Sequence, residues 1–165
     1  MTVKEEKAND PKEAMREHFE MVRKGYQDIG EFMVEFSQLQ FTIRAVLAGL
    51  LQLKNELFNA ITAPYDFARL CIVTREVALV QLPSERREEI VETFKACLAL
   101  NTSRVRVAHG LLTYGDGTIE SLHVSNELKA ATYFSKPGEL KDLCAQSQKL
   151  LGAVLKVGGG SLVLK

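Results

Sequence analysis

The sequence predicts an all-α fold, an antiparallel helical bundle with a small β-hairpin inserted before its last helix. Apolar residues recur at three- and four-residue steps over four long segments, which is the spacing of one buried helix face. One short stretch, around the Gly-Asp-Gly at 115–117, instead combines β-forming residues with turn chemistry. With 165 residues, 46% of them hydrophobic and 25% charged, the chain suits one globular domain. We expect this domain to span residues 10–157, between flexible ends at 1–9 and 158–165.

The first helix begins at Asp10-Pro11, where an N-cap aspartate precedes a proline suited to the first helical position. Apolar residues then recur at helical spacing: Met15, Phe19, Val22, Tyr26, Ile29, Phe32, Met33, Phe36, Leu39, Ile43, Val46, Leu47 and Leu50. This pattern predicts one long amphipathic helix, or two helices joined near Gly25 or Gly30.

Two further helices precede the hairpin. One apolar pattern runs from about Ala63-Pro64 to the Gln-Leu-Pro that ends at Pro83. Ser84 is expected to cap the next helix, whose first turn carries the acidic residues that a helix N-terminus favours. Gly110 is expected to end that helix.

The predicted hairpin lies between this third helix and the last one. Two short runs within residues 111–124 flank the Asp-Gly turn, and the run at 129–134 is a candidate further strand. The last helix is expected to begin at Ser135 or Pro137 and to carry apolar residues as far as Val154. Because the connections are short, we expect sequential helices to pack side by side in antiparallel pairs.

Composition and missing motifs exclude several classes of protein and site. Basic and acidic residues number 21 each, so no net charge attracts nucleic acid and any phosphate binding must be local. Cys71, Cys97 and Cys144 lie far apart and the histidines lack neighbouring ligands, so we expect buried free thiols, no metal and no other cofactor. The nucleophile, phosphate-loop and dinucleotide motifs of common enzymes are missing. No apolar run is as long as a membrane span, so we expect a cytoplasmic protein outside the membrane.

A basic cluster ends the third predicted helix, in the stretch NTSRVRVAHG at 101–110. His109 lies in the final turn, where the negative end of the helix dipole favours a positive charge. Arg104 and Arg106 add planar guanidinium groups, which suit phosphate oxygens. At about 100° per residue, Arg106 projects about 60° from His109 and Arg104 about 140° from it, which makes Arg106 the competing partner within one chain. The same residues also fit a cationic helix end that only offsets the dipole.

The stretch LNTSRVRVAHG at 100–110 resembles the Arg-x4–6-His motif of the HEPN superfamily of small helical proteins. The aromatic and aliphatic segment at 29–51 is similar to the opening helix of many of these proteins. The resemblance covers roughly residues 28–157. Many members are metal-independent ribonucleases, so the resemblance implies such an endoribonuclease, in a toxin or defence component with a possible antitoxin partner, with Arg104 and His109 as catalytic residues.

The resemblance also implies a homodimer in which Arg104 and His109 of both protomers line a shared cleft. Two copies of His109 then supply the base and the acid that attack by a ribose 2′-hydroxyl requires, while Arg104 stabilises charge on the phosphorane. Arg106, Asn101 and Tyr114 are the candidate substrate-binding residues beside them.

The chain departs from the family pattern at two positions. The family often carries Asn directly after the motif arginine and Glu in the first helix, where this chain has Val105 and Gln40. Three functions stay open: the endoribonuclease, a catalytically inert helical adaptor that dimerises or binds another protein, and a module that binds RNA or a nucleotide without cleavage. Burial of His109 in a dry core would exclude the first and the third. The phenylalanines of the first helix, Phe32, Phe36 and Phe41, suit the core, with a partner surface as the alternative.

Overall fold

The computed structural model describes residues 10–112, 119–125, 127–134, 136 and 138–159. Within these ranges lie five α-helices: α1 Pro11–Leu50, α2 Asn55–Thr62, α3 Phe67–Gln81, α4 Arg87–His109 and α5 Glu139–Val157. A 3-10 turn, Ser84–Arg86, precedes α4, and the strands β1 Leu111–Leu112, β2 Ile119–Ser125 and β3 Glu127–Tyr133 lie between α4 and α5. The prediction of a mainly helical bundle is confirmed.

α1 is one continuous helix of 40 residues. Asp10 caps it by accepting a hydrogen bond from the backbone N–H of Lys12, as the Asp-Pro start predicts. Gly25 and Gly30 do not interrupt it, because a glycine costs a helix only about 1 kcal/mol relative to alanine. At about 1.5 Å per residue α1 is about 60 Å long. Its fully buried apolar residues begin only at Phe32, so its first turns lie outside the main core.

The short helix α2, which the sequence pattern did not predict, reverses the chain beside α1. The ring of Phe58 lies 6.1 Å from the ring of Phe41. Phe67, the first residue of α3, then packs on Phe36 with 4.3 Å between the ring centres. The chain has therefore travelled back along α1 before α3 begins. α3 then runs in the same direction as α1, because Arg86, five residues after its end, bonds to the end of α5, which lies beside Val46.

α5 also runs in the same direction as α1. Gln148 donates a hydrogen bond to Glu35 at 3.1 Å, and Gly158, directly after α5, lies against Val46. The predicted antiparallel arrangement is therefore wrong for α1 against α3 and α5. The physical reason is the extra reversal at α2, since a helix of eight residues is too short for its apolar period to be recognised.

α4 runs opposite to α1, α3 and α5. Near its start, Arg86 donates hydrogen bonds of 3.0 and 3.5 Å to the last two carbonyl oxygens of α5. Near its end, Arg104 lies over Phe36, well before the end of α1. α4 packs mainly on α3 and α5 and lies across the bundle from α1. The predicted end of α4 is confirmed, because the N–H of Gly110 donates to the carbonyl oxygen of Arg106 in the last turn. The predicted start is not, because Ser84 begins the 3-10 turn rather than α4 itself.

The three strands form an antiparallel sheet in the order β1-β2-β3. β2 pairs with β3 from Ile119 opposite Tyr133 to Ser125 opposite Glu127, whereas β1 contributes only two residue pairs. The longest pairing thus joins β2 to β3, which overlaps the run at 129–134 that was a candidate further strand. This pairing is not the small hairpin that the sequence predicts. The predicted turn at 115–117 lies outside the described residues.

The core lies between α1, α3, α4 and α5. Its largest fully buried side chains include Phe32, Phe36, Leu39, Ile43, Leu47, Leu70, Ile90 and Phe94. All of them fall on the apolar stripes that the sequence predicts, so the helical period located the core. Phe41 does not join them, since 51% of its surface is exposed.

Candidate functional site

The candidate site is formed by the last turns of α4. His109 is the final residue of α4 and its side chain is exposed. Arg106 lies in the same last turn. The end of a helix carries carbonyl oxygens without intrahelical partners and a negative dipole, which favour cationic side chains there. Burial of His109 in a dry core would have excluded both RNA cleavage and RNA binding at this residue. His109 is exposed instead, so both functions stay open.

Arg104 points back toward α1. Its guanidinium carbon lies 5.6 Å from the centre of the Phe36 ring, and its Nε is buried without a hydrogen-bond partner among the described residues. Phe36 is itself 2% exposed and packs on Phe67, so it offers a rigid platform. The cation–π contact therefore holds the guanidinium in place while at least one N–H donor stays unused.

Arg106 turns in another direction, toward the sheet. Its guanidinium carbon lies 4.2 Å from the centre of the ring of Tyr133, the last residue of β3. A guanidinium that lies over a ring still directs its N–H donors outward in its own plane. The contact thus orients Arg106 beside His109 without using up its capacity to bind an anion.

The structure brings only part of the predicted site together. Arg106 and His109 share the last turn, as helical geometry predicts, whereas Arg104 packs on α1. Asn101 is half-buried about two turns before His109, and Tyr114 lies outside the described residues. Within one chain the geometry favours Arg106 as the partner of His109, so a catalytic role for Arg104 requires a long reach or a second protomer.

Sequence reasoning missed the two aromatic platforms, Phe36 and Tyr133. Each contacts an arginine that is distant in the chain, so no local spacing indicates the pairing. It also missed Arg44 of α1, whose buried Nε, like that of Arg104, has no hydrogen-bond partner in the described ranges. Arg44 follows Gln40 by one helical turn, and a neutral glutamine cannot balance its charge.

The cysteines are buried and free, as expected. Cys71 and Cys97 contact each other between α3 and α4, and this hydrogen bond, together with burial, raises the pKa of the Cys71 thiol. Burial raises the pKa of Cys144 as well. A thiol with a raised pKa carries little of the thiolate form that acts as a nucleophile, so these residues belong to the packing of the core.

Comparison of the chain with protein-family models, with curated proteins and with solved structures finds no match. Among the described residues, no group of three or more His, Cys, Asp or Glu side chains is placed to hold a metal ion. None of the helices in the described ranges has the length and apolar character needed to cross a membrane.

Proposed function

We propose that this chain is a metal-independent endoribonuclease of HEPN type that acts as a homodimer. The observation that carries the proposal is the end of α4, where an exposed His109 shares a turn with Arg106, while Arg104 is held one turn earlier on the Phe36 ring of α1. Phosphodiester cleavage requires a solvent-accessible proton-transfer group with fixed positive charge beside it. The resemblance of residues 100–110 to the Arg-x4–6-His motif supports the same chemistry.

The proposed reaction begins with attack of a ribose 2′-hydroxyl on the adjacent phosphorus. A new O–P bond forms, the bond from phosphorus to the 5′-oxygen of the next nucleotide breaks, and a 2′,3′-cyclic phosphate remains. His109 of one protomer accepts the proton of the 2′-hydroxyl, and the partner's His109 donates a proton to the leaving oxygen. A shared cleft is needed because one imidazole cannot act as base and acid in the same step.

The arginines stabilise the charge that builds on the phosphorane oxygens. Arg104 has this role in the proposed dimer, where the second protomer brings it to the shared cleft, and Arg106 is its competitor from within the same turn as His109. Asn101 and Tyr114 are proposed as further substrate-binding residues. The cleavage is thus assigned to the end of α4 and to what a second protomer brings to it.

The test is cleavage of end-labelled RNA by the purified protein in EDTA. We expect products with cyclic-phosphate ends, and we expect His109→Ala to abolish cleavage while the far-UV circular dichroism spectrum is retained. Arg104→Ala and Arg106→Ala should each slow cleavage. Loss of the arginine that stabilises the transition state should lower the rate by on the order of 10²–10³-fold. Arg87→Ala, at the exposed start of α4, is the matched control and should leave the rate unchanged. A requirement for a divalent metal, or activity that survives His109→Ala, contradicts the proposal.

A cellular test addresses the proposed toxin or defence setting. Expression of the wild-type chain should arrest growth, and His109→Ala should relieve the arrest at equal protein levels. An antitoxin partner would be recognised as a protein that binds the chain and suppresses RNA cleavage in the purified system. Growth arrest that is the same for the wild type and for His109→Ala would separate any toxicity from the nuclease site.

A catalytically inert adaptor is the second candidate, because α1 exposes large apolar side chains such as Phe19 and Tyr26. It predicts neither RNA cleavage nor RNA binding by the purified chain. A binding module for RNA or a nucleotide predicts binding that weakens in Arg106→Ala, without cleavage in any variant. RNA binding and RNA cleavage measured side by side therefore distinguish the three functions.

A further inference from the structure

α1 carries an exposed apolar stripe. Phe19, Tyr26, Val34 and Phe41 are 60%, 62%, 58% and 51% exposed. Positions 19, 23, 26, 30, 34, 37 and 41 follow the same side of the helix in steps of three or four residues, and all of these except Arg23 and Ser37 are apolar residues or glycine. Their average step of about 3.7 residues is close to one helical turn, so the stripe runs almost straight along α1. A second straight helix can therefore run alongside it.

The stripe is symmetric about Gly30. Phe19 and Phe41 lie eleven residues to either side of this glycine, and Tyr26 and Val34 lie four residues to either side. In a two-fold interface, residue i of one copy meets residue j of the other while j meets i. Two antiparallel copies of α1 that cross at Gly30 therefore place Phe19 on Phe41 twice, Tyr26 on Val34 twice and the exposed Arg23 on Ser37 twice.

Small residues at the centre of the stripe permit close approach. A Cβ built on Gly30 meets nothing within 4 Å, so this point of the helix surface is open. Ser37 already donates its hydroxyl to the carbonyl oxygen of Met33 at 2.8 Å. Covering Ser37 with a partner helix therefore leaves no unsatisfied hydroxyl.

The exposed apolar area matches the need of a stable dimer. With aromatic side chains of about 150–250 Å² each, the exposed parts of Phe19, Tyr26 and Phe41 amount to roughly 260–430 Å², to which the 58% exposed Val34 adds. A standard interface covers about 800 Å² per partner, of which some 56–65% is non-polar, or about 450–520 Å². The stripe supplies most of this non-polar part by itself.

We propose that the stripe from Phe19 to Phe41 is a self-association surface, occupied by α1 of a second copy in antiparallel orientation with the two-fold axis at Gly30. The stripe ends at Phe41 because Ala45 and Ala48 beyond it are only 4% exposed. Phe36, on which Arg104 of α4 packs, is buried and lies about 120° around α1 from Gly30, so this contact leaves the end of α4 free for the shared cleft proposed above. The α1 interface does not depend on RNA cleavage.

Disulfide trapping tests the position of the axis. In Gly30→Cys, the two introduced thiols meet at the axis, and diamide should oxidise them to a disulfide that links two chains. Gly49→Cys is the matched control, since Gly49 is also an exposed glycine of α1 with open space around it but lies outside the stripe. The native cysteines are buried and do not interfere. We expect Gly30→Cys to cross-link at least about tenfold faster, because dimerisation raises the effective thiol concentration. Equal rates for the two variants overturn the proposal.

Sedimentation at tens of micromolar protein tests the apolar contacts. The double substitution Phe19→Lys, Tyr26→Lys should weaken self-association, whereas Val80→Lys, on an even more exposed apolar residue of α3, should not. Wild-type protein that sediments as a monomer, or a double variant that associates as the wild type does, contradicts the α1 interface. RNA cleavage by the double variant is measured in parallel, so failure of the interface and failure of the nuclease proposal give different results.

Discussion

The guanidinium carbon of Arg106 lies 4.2 Å from the centre of the Tyr133 ring, so the last turn of α4 and the end of β3 are joined by one contact. Arg104 is held in the same manner by Phe36, at 5.6 Å. Each arginine of the candidate motif thus rests on an aromatic ring supplied by another element. An exposed helix end can in this way present positive charge in a fixed position.

A double-mutant cycle tests the contact between Arg106 and Tyr133. Removal of either partner, in Arg106→Ala or Tyr133→Leu, should lower the free energy of unfolding, and their coupling energy should be about 0.5–1 kcal/mol. The measurement is urea unfolding of the four proteins. Arg106→Lys is the control for charge, because lysine keeps the cation but loses the planar group that lies over the ring. A coupling energy of zero would show that the contact does not hold the sheet to α4.

Two glycines near the end of the chain should respond oppositely to alanine. A Cβ at Gly158 would lie 2.8 Å from Cγ2 of the buried Val46, so Gly158→Ala should destabilise the protein by about 1 kcal/mol or more. A Cβ at Gly152, inside α5, meets nothing within 4 Å, so Gly152→Ala should stabilise it by about 0.5–1 kcal/mol. Thermal unfolding of both variants gives the comparison. Similar stability in the two would mean that α5 does not end against Val46.

The pair Arg86–Glu89 should make a contribution to stability that depends on pH. The hydrogen bond from Arg86 lowers the pKa of Glu89 in the folded state. Stability from such a group is present above the unfolded-state value of about 4.3 and is lost as pH falls through the lower folded-state value. Glu89→Gln should therefore cost about 0.2–1 kcal/mol at pH 7, the range of an exposed ion pair, and nothing near pH 2.

Denaturant unfolding at pH 7 and at low pH measures this difference. Glu88→Gln, on the neighbouring exposed residue, is the control for loss of a charge near the start of α4. An effect of Glu89→Gln that is equal at both values of pH, or one shared by Glu88→Gln, would show that the ion pair does not contribute.

Several features of the fold were predictable because their signals are local. Asp10 caps α1 through its carboxylate, as its residue type predicts, and Gly110 directly follows the last residue of α4. The start of α4 was less predictable, since Ser84 enters a 3-10 turn and α4 begins only at Arg87. Boundaries of this kind depend on how the preceding loop packs, which a pattern of residue types does not contain.

The sequence by itself determined where the long helices lie, which of their faces are apolar and where a basic cluster ends one of them, because these properties arise between residues within a few positions of each other. Only the tertiary structure decided that α1 runs parallel to α3 and α5, that Arg104 and Arg106 rest on Phe36 and Tyr133, and that Phe41 remains exposed. Helix direction depends on the short reversal at α2, and side-chain contact and exposure depend on which distant elements pack together.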